Sequence, residues 1–154
     1  MVIVDSFYAR CMSEVTARQS TVGRGMAYML LATGLGHFIV PKPFDELIPG
    51  FLPGDPRLWT YLSGGAEFIV AALLLAPLSK KFAGKALRLW GAYLSLALFI
   101  AVYPANINMA IEWNSRDLIE QLFAYARLPL QFGLFYWSWA LIKEIKKVAP
   151  RDEP

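Results

Sequence analysis

A few polar and ionisable side chains interrupt an otherwise apolar chain of 154 residues. His37 and Glu67 each stand in a long apolar segment, and both side chains can accept or release a proton near neutral pH when their surroundings allow it. Ionisable groups in such segments are costly to bury, and they usually pair with another group or act on a ligand. His37 and Glu67 are therefore the first candidates for acid–base catalysis.

Three further polar residues lie beside proline in the same kind of segment. Asn106 follows Pro104, and Arg127 and Gln131 flank Pro129. Because Arg127 and Gln131 are four positions apart, both fall on one face of a helix. Carboxyl, imidazole, amide and guanidinium groups together can hold a polar head group, and Glu and His can also share a proton.

Other kinds of chemistry fit the sequence poorly. One His, one Glu and amides fall short of the His and Cys ligands that zinc favours, so no metal is expected. Cys11 is the only cysteine, which excludes a C-x-x-C pair. The chain has no Gly-rich phosphate loop, and no nucleic-acid partner is expected because the basic residues follow the membrane pattern described below.

Four apolar segments must position these residues. Hydrophobic residues make up 56% of the chain and charged residues 18%, with a mean hydropathy of +0.41; a soluble domain carries about 25% charge. A helix needs about 20 apolar residues to cross a bilayer. Segments at about 22–40, 58–78, 86–104 and 128–142 meet or approach this length. They predict an all-α, integral membrane four-helix bundle.

The basic residues are distributed unevenly around these spans. Eleven lie before the first span, beside the turn between the second and third, or after the fourth, and four lie in the two other loops. The positive-inside rule therefore predicts that both termini are cytoplasmic. Spans one and three then end, and spans two and four begin, at the outer leaflet. We expect one ligand-binding pocket there, lined by His37, Glu67, Tyr103, Asn106, Arg127 and Gln131.

The segments outside the spans have their own patterns. Residues 1–21 are predicted to be cytoplasmic and to contain an amphipathic interfacial helix over 6–17. The outer loop 41–57 holds five prolines and five large apolar residues, so we expect it to lie on the membrane surface or fold over the bundle. Asn114 is a candidate N-cap for a short outer-face helix that runs into the fourth span. Residues 143–154 are predicted to form a cytoplasmic tail.

Each polar residue also has a structural interpretation. Glu67 can be a protonated carboxyl or pair with Arg127, and His37 can hydrogen-bond across helices. Asn106 can cap the third span, and Arg127 can reach lipid phosphates. Small residues near His37 and Glu67 predict close packing of the helices or room for a ligand; they are Gly34, Gly36, Ser63, Gly64, Gly65 and Ala66.

Four short motifs carry a family resemblance. They are Gly-His-Phe at 36–38 followed by Pro41, Ser-Gly-x-x-Glu at 63–67, Pro-Ala-Asn at 104–106 and Arg-Leu-Pro-Leu-Gln at 127–131. Over about residues 22–142, the chain resembles the DoxX-like family of small four-span membrane proteins. The name-giving members are similar to subunits of thiosulfate:quinone oxidoreductases. Others are linked to oxidative-stress complexes at bacterial membranes, and a distant animal branch acts as a receptor-assembly chaperone.

Three functions are open at this point. The first is a non-catalytic subunit that binds a lipid or quinone-like ligand in the outer-leaflet pocket and joins a larger redox or assembly complex, or copies of itself. The second is an enzyme that uses His37 and Glu67 on a lipophilic substrate, with Arg127 holding an anionic or carbonyl group. The third is an assembly chaperone. A bacterial inner membrane is the expected location, and membrane lipid is an expected partner.

Overall fold

The computed structural model describes the backbone of residues 2–148 and the side chains of residues 21–147. Over this range the chain is mostly helical. The long helices are α1 (Val2–Ile39), α3 (Pro56–Leu75), α4 (Leu87–Glu112) and α5 (Leu118–Val148), and α2 (Lys42–Asp45) is short. Two-residue strands, β1 (Lys81–Phe82) and β2 (Lys85–Ala86), lie between α3 and α4, and a 3-10 turn (Trp113–Ser115) precedes α5.

The four long helices pack side by side into one bundle. Helix α1 packs on α3, α3 on α4 and α4 on α5, and α5 closes the bundle against α1. Helix α3 and the helical stretch Leu87–Ser115 are each long and apolar enough to cross a membrane. The structure therefore shows a helical bundle with two candidate membrane-spanning helices.

The helices extend beyond the predicted spans at the end of the bundle that holds the prolines. Helix α4 continues through Pro104 to Glu112, and α5 continues through Pro129. The outer-face helix and the fourth span are thus one helix. Asn114 does not cap it: the Asp117 carboxylate accepts hydrogen bonds from the backbone N–H groups of Ile119 (3.1 Å) and Glu120 (3.0 Å).

Helix α1 joins two segments that the sequence analysis separated. It runs without a break from Val2 through the predicted amphipathic stretch and the first span. Residues 1–22 contain no proline or glycine, so nothing in that stretch stops a helix. The amphipathic face at 6–17 lies outside the described side chains. Helix α5 likewise extends into the predicted tail as far as Val148, and residues 149–154 lie outside the described part.

A tight hairpin joins α3 to α4. The strands pair antiparallel, with Lys81 opposite Ala86. The two turn residues both have left-handed backbone, with φ of 49° at Ala83 and 73° at Gly84, which is the geometry that a two-residue hairpin needs. The turn brings α3 and α4 so close that a Cβ added at Gly91 would lie 2.8 Å from the backbone nitrogen of Leu74.

The two ends of the bundle differ in packing. We call the half next to the hairpin the turn half and the opposite half the cavity half. The turn half holds the larger apolar core, in which Met26, Leu30, Leu74, Leu141 and Ile145 are almost completely buried. The cavity half has a smaller cluster, made of Met109, Ala110, Trp113 and Ala124.

Candidate functional site

A cavity of about 180 Å³ lies in the cavity half, where all four long helices meet the proline-rich loop. Each long helix contributes one ionisable or amide side chain to its wall. These are His37 from α1, Glu67 from α3, Asn106 from α4 and Arg127 from α5. The structure therefore brings together four of the six residues that the sequence analysis assigned to a pocket.

His37 and Glu67 face each other across this cavity. Their Nε2 and Oε1 atoms are 3.8 Å apart, which is too long for a hydrogen bond. The other polar atom of each side chain, Nδ1 of His37 and Oε2 of Glu67, is buried and has no hydrogen-bond partner among the described residues. An unpaired buried polar group costs about 1–3 kcal/mol. Both atoms are therefore suited to bond a polar group from outside the chain.

Glycine contacts between α1 and α3 hold this pair in place. A Cβ added at Gly64 would lie 2.8 Å from the Cβ of His37, and one added at Gly34 would lie 3.2 Å from the carbonyl oxygen of Gly64. The two backbones nearly touch beside the cavity, as small residues permit. Gly65 is different, because a Cβ there would meet nothing within 4 Å. The close contact fixes His37 next to Glu67.

A chain of side-chain hydrogen bonds joins α4 to α5. The Arg127 Nε donates to Asn106 Oδ1 (3.1 Å), and Asn106 Nδ2 donates to Gln131 Oε1 (3.1 Å). Gln131 Nε2 then donates to the carbonyl oxygen of Phe99 (2.6 Å), one turn before Pro104. We call Arg127, Asn106 and Gln131 the amide relay. Gln131 is buried behind Asn106 and does not line the cavity, so its part is to orient Asn106, which orients Arg127.

The relay decides two of the structural alternatives. Asn106 lies inside α4 and does not cap it, because the helix continues to Glu112. Within the described residues no salt bridge joins Arg127 to Glu67. Arg127 instead uses Nε for Asn106, and its guanidinium carbon lies 5.6 Å from the centre of the Phe123 ring.

Tyr103 does not line the cavity. Its ring packs edge-to-face on Phe132 and Phe135, with centroid distances of 5.6 and 5.7 Å. The cavity face of α4 carries Val102 and Asn106, and Tyr103 is turned by about 100° from Val102 because a helix advances 3.6 residues per turn. Tyr103 therefore supports the contact between α4 and α5.

The proline-rich loop folds over the bundle and closes one side of the cavity. The Phe44 ring of α2 lies 3.9 Å from the His37 ring, centroid to centroid. The Asp45 carboxylate accepts from Arg57 Nε (2.9 and 3.1 Å) and from the Thr60 hydroxyl (2.7 Å). The Arg57 hydrogen bond holds the pKa of Asp45 below its ordinary value of 3.8. This clamp was not predicted from the sequence, although the opposite charges of Asp45 and Arg57 in one short loop were a signal for it.

An apolar cleft of about 340 Å³ borders the cavity on the outer side of α5. It shares three wall residues with the cavity: Phe44, Leu47 and Arg127. The remaining wall includes Pro43, Trp113, Ile119 and Phe123. A polar cavity and an apolar cleft therefore meet at a common wall.

Fold and site together define a class: a helical bundle with two candidate membrane-spanning helices and a polar cavity at the end away from the hairpin. The chain belongs to the family described as Domain of unknown function (DUF8561), which matches residues 26–142. No curated protein and no solved structure matches the chain. Among the described residues, no group of three or more His, Cys, Asp or Glu is arranged to hold a metal ion.

Proposed function

We propose that this protein is a DoxX-like integral membrane protein in which all four long helices span the bilayer. The main support is where its apolar surface lies. In α3 and α4, only 28% of the most apolar 18-residue stretch is buried inside the structure, whereas a core helix of a soluble protein is mostly buried. Large apolar side chains are exposed along all four long helices, such as Leu35, Ile69, Ile100 and Phe132. Lipid is the solvent that suits such a surface.

The proposed orientation places both termini and the turn half on the cytoplasmic side of a bacterial inner membrane. The turn half carries most of the lysines, as the positive-inside rule requires. Three of them lie over aromatic rings: Lys143 at 4.2 Å from Trp139, Lys85 at 5.3 Å from Trp90, and Lys146 at 5.5 Å from Tyr93. Such pairs are typical of side chains at a membrane interface.

A C-terminal reporter fusion tests this orientation. A reporter active only in the cytoplasm should be active, and one active only outside should be silent, while the protein stays in membranes washed with alkaline carbonate. Activity of the external reporter would overturn the orientation. Release of the protein by the carbonate wash would overturn membrane insertion.

Within this membrane protein, we infer a non-catalytic ligand-binding role. One observation carries the inference: His37 Nδ1 and Glu67 Oε2 are buried, unpaired and adjacent to a cavity. A lipid or quinone-like molecule with a polar head group would satisfy both atoms, and Arg127 lies at the same cavity. Each of the four motifs that resemble the DoxX-like family contributes at least one residue to the wall of this cavity, and these residues include His37, Ser63, Asn106 and Arg127. The protein would then act as the lipid-facing subunit of a larger redox or assembly complex, or of a homo-oligomer.

Mass spectrometry of co-purified lipid tests ligand binding. The full chain is purified from membranes, and organic extracts are compared with those of Ala105→Leu, which fills the cavity. The matched control is Ala101→Leu, an exposed position on the same helix. We expect a bound molecule that is retained by the control and lost from Ala105→Leu. An extract that does not change would contradict the proposal. Native mass spectrometry of the same samples reports co-purifying subunits.

The short distance between His37 and Glu67 favours one second candidate, a membrane enzyme. At 3.8 Å, a small rearrangement would let the two groups share a proton, and Arg127 could hold an anionic or carbonyl oxygen of the substrate. If this is the function, Glu67→Gln should retain the co-purified ligand and accumulate it unconverted. If the protein only binds, Glu67→Gln should alter affinity without changing the ligand's chemical form.

A further inference from the structure

The polar cavity is too small to hold a whole lipophilic ligand. Its volume is about 180 Å³, whereas pockets for small ligands measure roughly 300–1,000 Å³. The apolar cleft has about 340 Å³ and begins at the same wall. Cavity and cleft together reach the usual size, and they differ in chemistry as the two ends of an amphiphile do.

The cavity and the cleft adjoin at three side chains that line both of them. Phe44 and Leu47 belong to the loop that covers the bundle, and Arg127 belongs to α5. Beyond this wall, the side chains that line the cleft offer an apolar chain no unpaired charge. Its one acidic residue, Glu120, is paired with Arg116 at 3.2 Å. Its aromatic wall is formed by Trp113 and Phe123.

The charges of the cavity favour a neutral head group. Glu67 and Arg127 are the two side chains of opposite formal charge in its wall, and they cancel when Glu67 is ionised. A charged head group would leave a net charge in a partly desolvated space, which is unfavourable.

The unpaired atoms specify the head group further. An ionised Glu67 can only accept a hydrogen bond at Oε2, whereas a protonated Glu67 can also donate one. His37 Nδ1 can donate or accept according to its tautomer. A hydroxyl group can donate to the carboxylate and accept from the imidazole at once. A ketone, ester or ether cannot donate, so it could bond Glu67 only when that carboxyl is protonated.

We propose that the cavity and the apolar cleft are one binding site for a single-chain amphiphile, whose uncharged, hydroxyl-bearing head lies between His37 and Glu67 and whose tail passes Phe44 and Leu47 to Trp113. The proposal rests on the proposed function and adds the ligand class and the path of its tail. Hydroxylated acyl lipids and quinols both have this chemistry, whereas a fully oxidised quinone lacks the donor.

Tryptophan quenching tests the proposal on the full chain, purified and stripped of lipid. The probes share one brominated acyl chain and differ in the head: a monoacylglycerol with hydroxyl donors, the fatty-acid methyl ester without a donor, and the charged fatty acid. The monoacylglycerol should quench fluorescence at a concentration about tenfold or more below that of the methyl ester, the size expected for a hydrogen bond to a charged group. The charged fatty acid should also bind more weakly.

Two variants assign the signal. The chain has five tryptophans, and the tail is expected to lie beside Trp113. Trp113→Phe should therefore remove the part of the fluorescence that the brominated chain quenches. Glu67→Met keeps a similar volume but removes the acceptor, so it should abolish the preference for the hydroxyl head while leaving quenching by the tail. Thermal unfolding of each variant checks that it is folded.

The remaining outcomes separate the two proposals. Equal quenching by all three probes would overturn the head-group assignment. A co-purified lipid that depends on Ala105, together with quenching that does not depend on Trp113, would overturn the joined site but leave the proposed function standing. Absence of both a co-purified lipid and any specific quenching would overturn both, and would mean that water alone satisfies His37 and Glu67.

Discussion

The two halves of the bundle use the same four helices in opposite ways. In the turn half, aliphatic side chains such as Leu74 and Ile145 are completely buried, and the buried hydroxyls of Ser95 and Ser138 bond each other at 3.1 Å. In the cavity half, the helices enclose open space and the polar atoms of His37 and Glu67 are unpaired. Stability and binding are therefore separated along the helix axes. The stability contributed by the packed half can offset the free-energy cost of an imperfectly packed site in the other half.

The largest expected effect comes from truncating a core side chain in each half. Leu74→Ala should lower the free energy of unfolding by about 3 kcal/mol, because it leaves a hole in a fully packed region. Leu128→Ala should cost about 1 kcal/mol, because Leu128 is half-buried and packs on the smaller cluster of the cavity half. Unfolding in mixed micelles at increasing denaturing-detergent fraction measures both. Equal losses would show that the halves are packed alike.

The next effect distinguishes two adjacent glycines. Gly64→Ala should cost about 1–3 kcal/mol, since its Cβ would press on His37 at 2.8 Å and push α1 from α3. Gly65→Ala meets nothing within 4 Å and should gain up to about 1 kcal/mol from helix propensity. The same unfolding assay measures the stability of both variants, and mass spectrometry of co-purified lipid measures their ligand binding. If the two variants behave alike, the glycine contact does not shape the cavity.

The amide relay provides a third comparison. Asn106→Leu should cost about 2 kcal/mol, because it leaves Arg127 Nε and Gln131 Oε1 without their partner. Asn108→Leu, on the same helix but outside the relay, is the control and should change stability little. The variant Asn106→Leu should also lose bound ligand, because Arg127 is no longer oriented. Retained ligand at full occupancy would show that the relay is structural only.

A smaller effect is expected at the hairpin of the turn half. Ala83 has a left-handed backbone, which costs a residue with a Cβ about 1–2 kcal/mol, and Asn tolerates this conformation better. Ala83→Asn should therefore raise the free energy of unfolding by about 0.5–1 kcal/mol and leave ligand binding unchanged. Differential scanning calorimetry measures the change in stability, and mass spectrometry of co-purified lipid measures ligand binding. A destabilised variant would contradict this turn geometry.

The smallest effect is the pH response of the loop over the cavity. The pKa of Asp45 is below its ordinary value of 3.8 because Arg57 bonds the ionised form. The clamp therefore stabilises the loop fully above about pH 4 and is lost as the pH falls through the lowered pKa. Hydrogen exchange over residues 41–57 should show protection at pH 7 that decreases at acid pH. Asp45→Asn should lack this pH-dependent part of the protection. If the variant and the unaltered protein exchanged at the same rate at pH 7, the clamp would be excluded.

The pocket could be predicted to a useful degree because helix direction follows from counting spans and charges. Once α1 and α4 run one way and α3 and α5 the other, His37, Glu67, Asn106 and Arg127 must lie at the same end of the bundle. The position of a residue along the helix axis does not predict the direction in which its side chain points around that axis. Tyr103 was assigned to the pocket for its depth, and in the structure it packs on Phe132 and Phe135.

Helix boundaries were predicted less well. The third span was predicted to end at Pro104, but α4 continues through this proline to Glu112, whereas α5 passes through Pro129 as expected of an outer-face helix that runs into the fourth span. In α4 a contact from another helix accompanies this continuation, because Gln131 of α5 donates to the carbonyl oxygen of Phe99 in the stretch before Pro104. Local sequence does not reveal a partner that comes from another helix.

The sequence by itself determined the helical class, the uneven distribution of basic residues and the end of the bundle where polar groups collect, because hydropathy and charge are properties of each residue and segment. Only the tertiary structure decided which atoms are paired. Glycine contacts set how close α1 and α3 lie, and the amide relay sets how α4 and α5 face each other. These contacts leave His37 Nδ1 and Glu67 Oε2 as the buried unpaired atoms of the cavity, since hydrogen bonding depends on distances between helices far apart in sequence.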